Sequence, residues 1–336
     1  MSNIPATREH LYILARNEQL ESHILEYALR RIGVIPDSKA WRHFLDDVFL
    51  LLGVTLLSIG VVFFFAYNWN DMGRFTKFAL LEAGILIMIL FATVRGLEHL
   101  SAQASVLAAS ILFGSLLAVY GQTYQTGADA FELFLFWAIL IFPWVFVNRF
   151  APLWLLWLIL LNVSLILAWI QVVDQSGVEM PIELYLLLFF LNGTALVIWE
   201  RASNVEWLQN QWLGTTLFII TITTLIIPTL VTIFDFDIIW QKNKLFGPTV
   251  GLYVFVTIFS LWYYRYQRHD LLLLAVTLSG VLATLTTLIG MLLPLDEIVL
   301  FLFLAILVIG QATLATKWLL HVKNIWKQED EINYSY

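Results

Sequence analysis

The side chains able to do chemistry in this sequence gather in two stretches. The first is FFFAYNWNDMGRFTKFALLEAG, residues 63–84, where Asn68, Asn70, Asp71, Arg74 and Lys77 precede a lone carboxylate, Glu82. The second is AVYGQTYQTGADAFELFLFW, residues 118–137, where ten small or polar residues, Gly121 to Ala130, separate two apolar runs. A carboxylate set inside an apolar run costs about 2.5–3.5 kcal/mol on insertion scales, so it pairs, stays protonated or faces a polar interior. Glu82 is therefore the centre of the chemistry on offer. Two readings are open. It is one half of a structural lock with Arg74, Lys77, Gln122 or Tyr124, or it is a site that takes up a proton or a cation.

The second stretch divides in two. Asp129 and Glu132 have the spacing of a capping box, in which a capping oxygen and a Glu three residues on satisfy each other's backbone amides. Both acids also favour the positive end of a helix dipole. A bend between helices thus explains them, but it leaves Gln122, Thr123, Tyr124, Gln125 and Thr126, five successive hydrogen-bonding side chains that need partners. The candidate polar cluster is Asn68, Asp71, Arg74, Glu82, Gln122, Tyr124, Asp129 and Glu132.

The elements that must position these residues follow from the apolar pattern. The chain is 60% hydrophobic and 13% charged, against roughly a quarter charged in an average soluble domain. Its apolar residues come in unbroken runs: 48–68, 78–95, 102–120, 130–147, 152–170, 182–199, 212–234, 248–265, 270–292 and 297–316. Runs of about 18–23 residues cross a hydrocarbon core about 30 Å thick at 1.5 Å per residue. They are too long and too uniform for barrel strands, which are about ten residues and alternate. The fold class expected is all-α: a polytopic membrane protein of about ten transmembrane helices with a small N-terminal cytoplasmic helical segment.

That segment, residues 1–46, places Leu11, Leu14, Leu20, Ile24, Leu25 and Leu29 among charges, the spacing of amphipathic helices. Two short helices are predicted, broken near Asn17, the second ended by Gly33 and Pro36. It either rests on the membrane or bundle, or docks a partner. The bundle is assigned to 47–317 and a cytoplasmic tail to 318–336. The first apolar run, from Val48, is too long for a signal peptide and reads as an uncleaved anchor.

Ten alternating spans put Arg74, Lys77, Lys242 and Lys244 on one side and the other fourteen of the eighteen lysines and arginines on the opposite side. Positive residues mark the cytoplasmic face, so both termini are expected there, in a multi-pass inner-membrane arrangement. The outer loops are acidic. They read as solvated helix caps or as a vestibule that concentrates cations. Tryptophans near span ends, such as Trp154 and Trp199, fit an interfacial belt.

Composition excludes several classes. With no cysteine there are no disulfides, thiolate metal sites or Cys nucleophiles. Net charge is −7 and the basic residues are dispersed, so no nucleic-acid patch exists. No His-Glu-x-x-His, P-loop, Gly-x-Ser-x-Gly or Gly-x-Gly-x-x-Gly motif occurs. No catalytic, metal or cofactor residue is nominated, and a non-enzyme is expected. Inside the spans, Asn192-Gly193 and Gln311 point to helix–helix contacts. Asn162, Ser164, Thr194 and the threonine-rich 215–229 are weaker signals, because Ser and Thr bond back to their own helix. Pro143 and Pro228 are expected to kink theirs.

The charged helical N-terminus, FAYNWNDMGRFTKFALLE and VYGQTYQTGADAFELFLFWA together resemble the bacterial membrane proteins of domain of unknown function family 2157, over roughly residues 5–150. The resemblance implies architecture, a bacterial inner membrane and a link between the two motifs. It implies no reaction. Three functions follow as alternatives. One is transport of a small solute or ion through the polar cluster. Another is a non-catalytic scaffold or subunit, with the bilayer, a membrane-protein partner or a second copy as its contacts. The third is an intramembrane enzyme acting on lipid or envelope precursors.

Overall fold

The computed structural model describes residues 22–31, 38–67, 72–173, 182–201, 211–234, 245–294 and 296–333. Among them are eleven α-helices and no strand. In chain order these are α1 (Ser22–Arg31), α2 (Ser38–Tyr67), α3 (Arg74–Arg95), α4 (Leu100–Tyr124), α5 (Ala130–Asn148), α6 (Ala151–Ala168), α7 (Ile182–Arg201), α8 (Gln211–Phe234), α9 (Phe246–Tyr266), α10 (Leu271–Leu292) and α11 (Glu297–Asn333). The all-α polytopic reading holds. Nine of these helices, all but α1 and α9, are long and apolar enough to cross a membrane.

The tenth expected span, 248–265, is also helical, as the 21-residue α9. Its last turns are Trp262, Tyr263, Tyr264, Arg265 and Tyr266, the aromatic and basic residues of a membrane interface. Two expected divisions mark a change of solvent rather than a break in the chain. The divisions at 46/47 and 317/318 fall inside the continuous helices α2 and α11. The sequence changes from charged to apolar there, but neither Gly nor Pro lies between Ser38 and Leu52. Once a helix has nucleated, each further residue costs little, so the solvent changes without breaking the helix. The proposed break near Asn17 lies outside the described residues.

The chain forms two compact units, Met1–Gln125 and Thr126–Tyr336. In the first, α4 is the central helix and packs on both α2 and α3. Its buried face is built of Ala102, Ala104, Ser105, Ala108, Ala109, Ser110 and Gly114. Small side chains let neighbouring backbones come close, which is what drives helix association where lipid removes the hydrophobic force. Helix α3 meets α4 through Leu81 and Ile85, and the core closes with Leu112, Val119 and Phe78. The turn between them uses Gly96 at φ +85, whose N–H donates to Ala92 O at 3.0 Å. Glycine adopts such a positive φ at no steric cost.

In the second unit α8 is the central helix, packed by α7, α9 and α10. Buried Thr221, Thr224, Thr229 and Thr232 each donate a hydroxyl to a carbonyl of α8 itself. The threonine-rich sequence is thus self-satisfied. Helices α5 and α6 form an antiparallel pair across the two residues Arg149 and Phe150. Helix α6 ends in a π-helical turn, Trp169–Val173, and Asp270 caps α10 by accepting from the amides of Leu272 and Leu273 at 3.0 and 3.1 Å.

Candidate functional site

Asn68 and Asp71 lie outside the described residues. In the first unit, the packed stripe of α3 is Lys77, Leu81 and Ala92, all buried. Glu82 is off that stripe and exposed, and so is Arg74, whose guanidinium lies 4.8 Å from the Phe75 ring. Tyr124 belongs to an aromatic group: its ring centroid is 4.8 Å from Tyr120 and 6.1 Å from Phe78, which ties the end of α4 to the start of α3. Gln122 is exposed. Among the described residues of this unit, then, Glu82 does not gather Arg74, Gln122 and Tyr124 around itself. The reason is helical phase. The stripe that meets α4 runs at i, i+4 through Lys77 and Leu81, and Glu82 sits one residue, about 100°, beyond it.

Asp129 and Glu132 lie in the second unit and form the capping box of α5, with the Asp129 amide donating to Glu132 Oε2 at 3.2 Å. The next turn is held by α6. Gln171, presented by the π-helical turn, accepts from the Phe131 amide at 3.2 Å, and Ser164 Oγ donates to the Phe131 carbonyl at 3.0 Å. An orphan amide of a helix start is thereby satisfied by a side chain 40 residues on. This half of the second motif is a helix start locked to its neighbour.

Two features of the second unit have more to offer. The first is a cavity of about 490 Å³ between α5, α6, α7 and α8. Its floor is the buried set Leu158, Trp199, Leu213 and Leu217; its walls include Trp154, Trp157 and Ala195; and Phe146 and Ile198 at its rim are exposed. Trp157 is fixed by donating Nε1–H to Ala138 O at 3.1 Å. One turn along α6 from the lining residue Leu158, Asn162 exchanges side-chain hydrogen bonds of 3.1 and 2.7 Å with Asn192, and each amide also donates to its own helix, at Leu158 O and Leu188 O. Asn192 is fully buried. This reciprocal pair clamps α6 to α7, the contact that Asn192-Gly193 suggests. Gln311 likewise accepts from Thr286 at 2.9 Å and joins α10 to α11.

The second feature is a polar clamp at the C-terminal ends of α7 and α9. Glu200 Oε1 accepts from Arg268 Nη1 at 2.7 Å and from Tyr264 Oη at 3.0 Å. Glu200 carries no sequence signal of its own. Beside Arg201 at the end of an apolar run it reads as a solvated charge, and only the return of α9 supplies its partners. Nor do Trp154 and Trp199 announce a cavity, since any belt residue has the same sequence context. Among the described residues no three His, Asp or Glu side chains converge on a metal-sized site.

Comparison with known proteins supports the architecture. Residues 16–154 match the family described as "Predicted membrane protein (DUF2157)". The matched segment runs from before α1 to the first turn of α6, so it takes in both polar motifs but little of the cavity and none of the Glu200 clamp. No curated protein and no solved structure matches the chain. The protein is a multi-helix membrane protein, and the family description assigns it no reaction.

Proposed function

We propose that this is a non-catalytic inner-membrane component whose second unit holds one hydrocarbon chain of a membrane lipid in the cavity between α5, α6, α7 and α8. The single observation that carries the reading is the cavity itself. Its volume, about 490 Å³, falls in the range of about 300–1,000 Å³ typical of ligand sites. Its lining is aliphatic and aromatic, with Thr194 the one hydroxyl. Exposed Phe146 and Ile198 at the rim belong to membrane-spanning helices, where the neighbouring solvent is hydrocarbon. An acyl chain meets no desolvation cost on entering such a site, whereas an ion or a sugar would leave its water with no hydrogen bonds in return.

A carrier working through Glu82 would need that carboxylate to face a polar interior, whereas in the first unit it lies off the stripe of α3 that packs on α4. The scaffold reading gains from α2 and α11. These long apolar helices bury little of their surface and leave broad faces for lipid, a membrane-protein partner or a second copy. Both termini in the cytoplasm is the orientation that the lysine and arginine bias favours.

A lipid carrying a photoreactive group in its acyl chain tests the cavity. Ala195 lines it, so Ala195→Trp fills it. Crosslinks should concentrate on peptides from α6 to α8 in the native protein and fall in Ala195→Trp, with labelling of α2 and α11 unchanged. Uniform labelling of all apolar helices, indifferent to the substitution, would show ordinary bilayer contact and remove the proposal.

A further inference from the structure

We propose that the cleft between the C-terminal turn of α9 and the C-terminal third of α11 binds the phosphate group of an anionic phospholipid, with Arg265 as its principal ligand and His269 beside it. It rests on residues other than those of the acyl-chain cavity, so either site can fail without the other.

The arginine is preset. Its guanidinium carbon lies 5.0 Å from the Tyr266 ring centroid and 5.4 Å from that of Trp318. Aromatic faces orient a guanidinium and leave its N–H donors unused. Among the described residues no carboxylate takes those donors. Glu200 is engaged by Arg268 and Tyr264, and Asp270 by the first amides of α10. The wall opposite is fixed too, since Trp326 donates Nε1–H to the carbonyl of Arg265 at 3.1 Å. His269 adopts φ +51, and its ring lies 4.8 Å from the Trp326 ring. A left-handed backbone at a non-glycine residue costs free energy, and here it brings a second cation-capable side chain to the same cleft.

The remaining space suits a phosphate. The cleft holds about 40 Å³, and a water-sized group needs about 10–15 Å³ by that measure, so the free oxygens of one phosphate fit. Guanidinium and phosphate are matched in charge and in hydrogen-bond geometry. Lys317, His321, Lys323 and Lys327 are also exposed on α11. Finally, α11 passes from apolar to charged sequence at Lys317, and α9 ends at Tyr266. The cleft is therefore at the level where hydrocarbon gives way to headgroups, and basic pockets between transmembrane helices at that level suit anionic lipids.

The experiment uses the full-length protein in nanodiscs of equal phosphatidylglycerol and phosphatidylcholine, with the lipid retained after extraction weighed by native mass spectrometry. Native protein should retain phosphatidylglycerol preferentially. Arg265→Gln should lower that preference about fivefold, the factor for about 1 kcal/mol per basic residue. His269→Ala should lower it less, and Arg201→Gln, a basic residue outside the cleft, should leave it unchanged. If Arg265→Gln does not fold, His269→Ala, an exposed position, decides. Native-like preference in the folded cleft variants, or an equal loss in Arg201→Gln, overturns the proposal. Stabilisation of lipid-free protein by inorganic phosphate, lost in Arg265→Gln and unaccompanied by any lipid preference, would assign the cleft to a soluble phosphate and overturn the lipid assignment.

Discussion

Asn162 and Asn192 illustrate what a single polar residue does in this protein. Each amide donates once to its partner and once to its own helix, so burial leaves no donor unsatisfied. In hydrocarbon such a pair is worth about 0.6–2 kcal/mol, because the separated helices find other partners for the same groups. A double-mutant cycle of Asn162→Ala and Asn192→Ala, read by unfolding in mixed micelles, should give a coupling energy of about that size. A coupling indistinguishable from zero would mean that packing alone joins α6 to α7. Glu82 makes the opposite point. Residue type and depth single it out, yet whether a carboxylate meets a partner depends on helical phase, and one residue of phase puts it outside the packed stripe.

At the scale of elements, the close approaches set what each helix tolerates. A Cβ on Gly280 of α10 would come within 2.8 Å of Ile226 Cδ1 on α8, whereas one on Gly310 of α11 would meet nothing within 4 Å. Gly280→Leu should therefore cost about 1–3 kcal/mol of stability through overpacking. Gly310→Ala should be neutral or stabilise by up to about 1 kcal/mol through helix propensity. Thermal unfolding of the two purified variants checks the contrast, and equal effects would show that α8 and α10 do not pack this closely. Helix existence was legible throughout in the length and uniformity of the apolar runs. Helix ends were less so at α2 and α11, because the sequence marks where the solvent changes and backbone hydrogen bonding ignores that mark.

For the whole molecule the open quantity is the parity of crossings, and it turns on α9. Among the described residues nine helices meet the length and apolarity of a span, while α9 has 21 residues and an aromatic, basic C-terminal end. It packs on both α8 and α10, and 21 residues of helix reach about 31 Å, the thickness of a hydrocarbon core. Trp and Tyr at its end suit the interface rather than oppose insertion. The chain lacks cysteine, so single introduced thiols report without background. Gln241→Cys and Gln267→Cys, flanking α9, should label from opposite faces of intact vesicles. Labelling from one face would leave nine crossings and put the chain ends on opposite sides.

The sequence by itself determined the solvent, the helical class, the order of the elements and the capping box at Asp129 and Glu132, because these depend on local composition and on spacings of a few residues. Tertiary structure decided the rest. The cavity walls come from four helices spread over residues 146–217. The partners of Glu200 stand 64 and 68 residues away, and Arg265 is framed by rings from its own helix and from α11. Such constellations exist only once helices have chosen their neighbours. In a membrane that choice is made by small-residue packing and buried amides, signals too short and too common for one-dimensional reading to rank.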